Sequence, residues 1–166
     1  MTLRIEDYAL IGDCKTAALV GRDGSIDWLC WPRFDSAACF AALLGKADNG
    51  RWLIAPKNPP LGVRRRYRPG TLVLETEFRT ETGSAAVIDF MPPGDGADLV
   101  RIVVGLSGRV VFQTEFVARF NYGSGVPWIN RLDDGAINAI AGPERLLLRT
   151  PVALSGEDLI TTSITA

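Results

Sequence analysis

The stretch TAALVGRDGSIDWLC, residues 16–30, sets the pattern on which this chain folds. Two runs with strand composition, Thr16–Gly21 and Ser25–Cys30, flank the short turn Arg22-Asp23-Gly24. Glycine at the end of the turn accepts a positive φ angle, which tight hairpin connections require. The stretch therefore predicts an antiparallel hairpin near the start of the chain.

The same strand–turn–strand pattern continues downstream. Leu72, Leu74, Thr76 and Phe78 alternate with charged residues, which is typical of a strand with one buried and one wet face. Further strands are predicted at 85–91, 99–106, 109–120, 128–132, 136–141, 145–149 and 159–165. Regular turn signals between short strands indicate an all-β, mainly antiparallel β-sandwich built of hairpins.

Two segments interrupt this pattern. Ser36–Leu44 is expected to be the one short helix, with Asp35 or Ser36 as its N-cap and Gly45 just after its end. Pro56–Gly70 is expected to be a loop, and it contains the basic run RRRYR at 64–68. The sequence therefore predicts a sandwich of hairpins with one short buried helix and one basic loop.

Composition and charge exclude several classes of protein. The 166 residues fit one domain, 1–166, with enough length to bury a core, and the apolar fraction of 47% is ordinary for a globular protein. The net charge of −1 argues against nucleic-acid and anionic-membrane binding by the whole domain. The longest apolar run, Ala37–Leu44, is too short to span a bilayer, and no signal peptide is recognisable.

The chemistry open to the chain is limited because it has no histidine. Ser-His and Cys-His nucleophile pairs are therefore excluded, and the commonest metal ligand is missing. Cys14, Cys30 and Cys39 are odd in number and have no C-x-x-C spacing, so we expect reduced thiols in a cytoplasmic protein. No metal site and no cofactor are predicted.

The last residues continue the strand pattern up to Ala166. We therefore expect the domain to be incomplete at its C-terminus, a truncated sandwich that lacks part of a sheet. Unpaired strand edges expose open N–H and C=O groups and invite pairing with another copy. Homo-oligomers through exposed strand edges are one expected consequence.

Residues 5–44, IEDYALIGDCKTAALVGRDGSIDWLCWPRFDSAACFAALL, carry the most specific signal in the chain. They resemble the opening of the bacterial and archaeal glucoamylase- and trehalase-like proteins of glycoside hydrolase family 15. Supporting patches occur at 50–52, 67–76, 89–92, 99–102, 119–123 and 127–128, so the resemblance covers nearly the whole chain. The family often has aspartate where Asn121 stands, a small departure.

The resemblance implies a large β-sandwich joined to an (α/α)₆ barrel that hydrolyses α-linked glucosides with inversion. In such enzymes two glutamates of the barrel act as general acid and general base. No residue of this chain matches those motifs, so no catalytic residue is assigned and the barrel is expected to be absent. The expected role is a non-catalytic N-terminal domain that packs against the barrel of the same parent chain and stabilises it.

Three alternatives for function stay open at this point. The first is the packing role, the second a free-standing carbohydrate-binding β-sandwich with an α-glucoside ligand, and the third an enzyme in its own right. A lone glycosidase would need two carboxyls facing each other across a cleft. The acidic pairs Glu6/Asp7, Asp23/Asp27, Asp133/Asp134 and Glu157/Asp158 do not by spacing alone predict that geometry.

The segment WLCWPRFD at 28–35 holds the candidate contact residues. Aromatic faces stack on sugars, and charged groups beside them bind hydroxyls, so such a cluster would suit the rim of a glucoside site or an interdomain contact. The candidates are Trp28, Trp31, Arg33, Phe34 and Asp35. Four of them also have a structural reading: Trp28 and Phe34 as core, Asp35 as a helix cap, and Arg33 as the partner of a nearby carboxylate.

Overall fold

A computed structural model describes residues 3–152 and 154 of the chain. Thirteen strands form three antiparallel sheets within these residues. The strands are β1 (Tyr8–Gly12), β2 (Ala17–Gly21), β3 (Ser25–Cys30), β4 (Ala38–Phe40), β5 (Arg51–Pro56), β6 (Gly62–Tyr67), β7 (Leu74–Arg79), β8 (Gly83–Phe90), β9 (Val100–Gly108), β10 (Phe112–Val117), β11 (Trp128–Arg131), β12 (Ile137–Ala141) and β13 (Glu144–Leu148).

The first sheet has the order β1-β2-β3-β5-β10, and β4 adds to it by pairing with β3. The quoted stretch forms its central hairpin, β2–β3, as predicted, with a register shift between Leu19 and Val20. Gly24 in the hairpin turn has φ +86°, and its carbonyl accepts a hydrogen bond from Ile54 N at 3.1 Å. The turn is therefore held against β5 by its backbone.

The second and third sheets are simple meanders, β6-β7-β8-β9 and β11-β12-β13. A small cluster of Ile54, Phe78 and Val87 packs the second sheet against β5 of the first. The main core joins all three sheets, with Ile26 and Phe116 from the first, Leu74 from the second and Ile137 from the third among its members. The all-β, antiparallel sandwich expected from the turn spacing is confirmed.

The alternation predicted around Thr76 is also confirmed, because Leu74, Thr76 and Phe78 are all at most 1% exposed. Leu72 lies before β7 and is 47% exposed. The long strand expected at 109–120 is shorter, because β10 covers only Phe112–Val117. The strand predicted at 159–165 lies outside the described residues.

The helix expected over Ser36–Leu44 is wrong. The segment forms β4, which pairs with β3 through Leu29 opposite Phe40 and Cys30 opposite Ala38, and then a 3-10 turn at Ala42–Leu44. Short apolar runs are ambiguous between helix and strand, and an open sheet edge decides the choice here. Ser36 Oγ accepts a hydrogen bond from Arg33 N, within a loop and not at a helix start.

The loop expected at Pro56–Gly70 is also wrong for residues 62–67, because they form β6. Arg66 and Arg68 both pair with Glu75, and Arg65 donates to Val20 O of the first sheet. Tyr67 Oη binds both the N–H and the C=O of Leu10. Charged side chains suit an edge strand, since they discourage pairing with another chain.

A buried ion pair of the second sheet also contacts the first sheet. Asp89 of β8 and Arg101 of β9 face each other across the pair, at 2.8 Å, and both side chains are fully buried. Arg101 also donates to Trp52 O and to Gly24 O, and its guanidinium lies 5.3 Å from the centre of the Trp52 ring. The charge is thus neutralised and fully hydrogen-bonded where two sheets meet, which is what makes a buried pair tolerable.

Candidate functional site

The structure separates the two tryptophans of the candidate segment. Leu29 points into the main core, so Trp28 and Cys30, its neighbours on β3, point to the opposite face of the first sheet. There Trp28 packs on Cys30, Ala38 and Ala41 and remains partly exposed. Trp31 packs against the main core instead. The two rings therefore do not form one platform.

The loop after Trp31 is strongly exposed. Phe34 is 63% exposed, which contradicts a core role for it. Arg33 forms a two-point pair with Asp35, at 2.8 and 3.2 Å, and this pairing lowers the pKa of the Asp35 carboxyl. The structural reading of Arg33 as the partner of a nearby carboxylate is confirmed, whereas Asp35 caps no helix.

Trp28 has a partner that sequence reasoning did not single out. Its ring lies 6.1 Å from that of Tyr122, tilted by 38°, and Tyr122 is 49% exposed. Asn121 and Tyr122 have φ angles of +49° and +58°, two consecutive left-handed residues that are not glycine. Such backbone is uncommon for residues other than glycine, and it clusters at functional sites.

The strained turn is fixed by close backbone packing. It follows Phe120, whose N–H and C=O both pair with Gly125. A Cβ at Gly123 would lie 2.9–3.1 Å from three atoms of Asn49, so only glycine fits there. The signal for this turn was the patch Arg119-Phe120-Asn121-Tyr122-Gly123, which supported the resemblance without suggesting a site.

Arg119 lies beside this turn and is only 8% exposed. Phe116, Ala118 and Phe120 point into the main core, so Arg119 points to the same outer face as Trp28. Its N–H donates to Cys39 O, and its guanidinium donates to Ala118 O at 2.8 Å. Burial lowers the pKa of Arg119, and the charge of Asp48 offsets this in part.

Within the part of the chain that the structure describes, no carboxylate lies within 4.0 Å of the Arg119 side-chain nitrogens. The 3-10 turn that bears Leu44, which is 64% exposed, contacts β3 and the next 3-10 turn at Ala47–Asn49. That second turn contacts the Tyr122 turn, which also contacts β4. Trp28, Leu44 and Tyr122 thus lie on elements that are linked by contacts, and Arg119 lies just before the Tyr122 turn; these four residues are named here the Arg119 surface.

The acidic pairs of the sequence have local structural partners. Asp27 accepts hydrogen bonds from Tyr8 Oη at 2.7 Å and Ser25 Oγ at 2.5 Å. Asp23 accepts from Ser25 N, and desolvation raises its pKa. Asp134 binds Arg149 and the backbone of Ala136, whereas Glu157 and Asp158 lie outside the described residues. These contacts support turns and hairpins.

The described residues also bear on redox chemistry and membranes. All three cysteines are free; Cys14 is exposed, whereas burial raises the pKa of Cys30 and Cys39. Among residues 3–152 and 154, no helix has the length and apolar character needed to cross a bilayer.

Comparison with known proteins gives the region a family. The family model described as "Trehalase-like, N-terminal" matches residues 1–154. The chain belongs to this trehalase-like N-terminal family. No solved structure gives a significant match.

Curated relatives of this trehalase-like domain are named as trehalases. The chain is 39% identical over 95 residues to a trehalase of Mycolicibacterium smegmatis, covering 57% of the chain and 14% of that protein. It is 38% identical over 136 residues to trehalase 1 of Sulfolobus acidocaldarius, covering 80% and 23%. It is 33% identical over 142 residues to a trehalase of Thermoplasma volcanium, covering 81% and 23%.

The chain therefore spans between 14% and 23% of the length of these relatives. The predicted resemblance is confirmed, and the match is to the N-terminal domain of a trehalase-like hydrolase. The candidate contacts Trp28, Trp31, Arg33, Phe34 and Asp35 remain predictions.

Proposed function

We propose that this trehalase-like domain is non-catalytic and packs against the catalytic domain of the same polypeptide, which it stabilises. The parent protein would be an inverting α-glucosidase of glycoside hydrolase family 15, acting on trehalose or a related α-glucoside such as a malto-oligosaccharide. We also propose a cytoplasmic location, which the three free thiols favour.

The observation that carries the packing role is the Arg119 surface. It combines partly exposed aromatic rings, an exposed leucine and a buried arginine, which is the composition of residues that dominate protein–protein interfaces. Small-molecule sites are concave and enclose their ligand. Two clefts of the described residues lie elsewhere, one between Asp134 and Arg149 and the other along β6–β9.

A chimera tests this function. Residues 1–154 would replace the corresponding segment of Sulfolobus acidocaldarius trehalase 1, and the truncated trehalase without that segment serves as the control. We expect the chimera to hydrolyse trehalose and to melt above the truncated control. A truncated enzyme as stable and active as the chimera would contradict the packing role, and glucose release by the purified 166-residue chain alone would contradict the non-catalytic role.

A second candidate function, carbohydrate binding, is favoured by one observation on the third sheet. Trp128 is 70% exposed on β11, and Ile140 lies opposite it on β12. On the same face Asn138 donates to Asn130 at 2.9 Å and accepts from Arg145 at 2.6 Å. A flat ring beside amide and guanidinium groups is suited to stacking on a sugar and bonding its hydroxyls.

Calorimetric titration of the chain with trehalose, maltose and maltotriose tests this alternative. Millimolar binding that disappears in Trp128→Ala would favour a binding module over the packing role. Silence with all three sugars would favour the packing role.

We further propose that the edge of β9 mediates self-association of the isolated chain. Ile102, Val103 and Leu106 are 44–53% exposed on this nine-residue edge strand, which has no proline or lysine to discourage pairing. Light scattering over a concentration series should show growth beyond the monomer, and a monomer at every concentration would refute it.

A further inference from the structure

The largely buried guanidinium of Arg119 has one hydrogen-bond partner and no ion-pair partner among the described residues. A guanidinium removed from water is costly unless a counter-charge and hydrogen-bond acceptors replace its hydration. Arg119 is only 8% exposed and makes one side-chain hydrogen bond, to a backbone carbonyl. Its other side-chain nitrogens have no hydrogen-bond partner among the described residues and, unlike Arg51 Nε, are not closed off from water.

The neighbourhood of Arg119 offers little compensation. Asp48 attracts it at long range, but that carboxylate is already paired with Lys46 at 3.0 Å. Arg51, on the same sheet face, is neutralised by Glu115 at 2.7 Å. Arg119 therefore stands out on this face as a positive charge without a close carboxylate among residues 3–152 and 154.

We infer that Arg119 is the anchor of the interdomain contact and receives a carboxylate side chain from the catalytic domain of the same polypeptide. The planar guanidinium binds carboxylates in a two-point geometry that lysine cannot copy. The Trp28 and Tyr122 rings and Leu44 on neighbouring elements would supply the apolar part of such an interface. This inference rests on the proposed packing function and adds the residue and the partner chemistry.

The strained turn supports the same assignment. Tyr122 has its backbone in the left-handed region, which is unfavourable for a tyrosine, and its side chain is 49% exposed. The turn places the Tyr122 ring 6.1 Å from that of Trp28. An interface recovers such a cost when the partner buries the ring.

The test compares Arg119→Met in two settings, since methionine keeps the apolar stem and removes the charge. In the isolated 166-residue chain, we expect the melting temperature to stay within about 2 °C of the unaltered chain, or to rise, because no counter-charge is lost. In the trehalase chimera, we expect it to fall by about 4 °C or more, because the partner carboxylate is left buried and unpaired. Arg119→Lys should recover part of this loss.

The matched control is Arg4→Met, which removes an exposed arginine paired with Glu6 near the start of the chain. We expect it to leave both melting temperatures unchanged. If Arg119→Met destabilises the isolated chain as much as the chimera, the counter-charge belongs to this chain and the inference is wrong.

Two further results are decisive in the other direction. If the unaltered chimera melts no higher than the truncated trehalase, the packing function itself fails, and this is seen before any variant is made. If trehalose quenches tryptophan fluorescence of the isolated chain and Arg119→Met abolishes the effect, Arg119 binds sugar and not a protein carboxylate.

Discussion

The Arg101 and Arg119 side chains are both largely buried, yet their counter-charges and hydrogen bonds differ. Arg101 faces Asp89 at 2.8 Å, donates to two backbone carbonyls and lies over the Trp52 ring. Arg119 has one carbonyl and no close carboxylate among the described residues. The polar partners of Arg101 lie within the domain. For Arg119, we propose that the carboxylate partner lies outside it.

This contrast distinguishes side chains that stabilise the domain from side chains that a partner could bind. A buried polar group whose every bond is made within the domain explains stability. A largely buried polar group with few hydrogen bonds, at a surface that carries aromatic side chains, indicates that a partner binds there. Three substitutions test this contrast, at Arg101, at its backbone acceptor Gly24 and at Glu75, which pairs with two exposed arginines. We expect them to lower the free energy of unfolding by decreasing amounts.

Arg101→Met should be the most damaging of these substitutions. It leaves Asp89 as an unpaired charge with no exposure to water, which costs about 3–5 kcal/mol of unfolding free energy. Urea denaturation of the isolated chain measures this loss. The double variant Asp89→Leu with Arg101→Met removes both charges and should recover part of the stability.

The control for this prediction is Arg149→Met. Arg149 also pairs with an aspartate, Asp134, but both side chains are about half exposed, so the pair is worth about 0–1 kcal/mol. If Arg101→Met costs no more than Arg149→Met, the buried pair does not hold the sheets together and the contrast with Arg119 collapses.

Gly24→Ala should rank second, because Gly24 O is one of the two backbone carbonyls that accept hydrogen bonds from Arg101. A Cβ there would lie 2.2 Å from Ile54 O, and the φ of +86° is already unfavourable for alanine. We expect a loss of about 2 kcal/mol or more, measured by thermal or urea unfolding.

Gly135→Ala isolates the contribution of the φ angle. Gly135 has φ +80°, but nothing lies within 4 Å of the position that a Cβ would occupy, so only the conformational cost of about 1–2 kcal/mol applies. Equal losses at Gly24 and Gly135 would mean that the turn can move away from β5 and that Arg101 does not depend on its position.

Much of the fold was predictable because it rests on local patterns. The β2–β3 hairpin, the alternation of Leu74, Thr76 and Phe78, and the antiparallel meanders follow from period-2 apolar spacing and turn glycines. The errors occurred where a neighbouring strand decided the outcome. Ala38–Phe40 is a strand because β3 offers it an edge, and no feature within Ser36–Leu44 reveals that edge.

The basic run shows the same limit. Arg64 and Arg66 alternate with Arg65 and Tyr67, and only the fold shows that the latter two bind backbone groups of the first sheet. Arg101 and Asp89 likewise become partners through the register of β8 and β9. Their sequence patches were visible, but their pairing was not.

The candidate site was predictable only in part. Aromatic composition led to Trp28, but placed it with Trp31, which packs against the main core on the other side of the sheet. Tyr122 and Arg119 lie about 90 residues downstream and join Trp28 only because β4 and the segment after β10 meet on one side of the first sheet. Strand parity and topology, which composition does not contain, made the difference.

Glu75→Gln should cost the least and places exposed arginines on the same scale. Glu75 binds both Arg66 and Arg68, and these hydrogen bonds hold the pKa of its carboxyl below the usual range. A lowered folded-state pKa contributes stability above the unfolded-state value, and this contribution is lost as the pH falls through the folded-state value. The variant should therefore be slightly less stable than the unaltered chain near pH 7.

Melting curves of the two chains should converge in acid, because a protonated Glu75 and a glutamine have the same charge. Salt should narrow the gap at pH 7, since exposed pairs are screened whereas the Asp89–Arg101 pair is not. A stability difference that persists in acid, or one as large as that of Arg101→Met, would show that burial does not determine how much an arginine ion pair stabilises this domain. In that case the burial of Arg119 would not require a carboxylate from a partner.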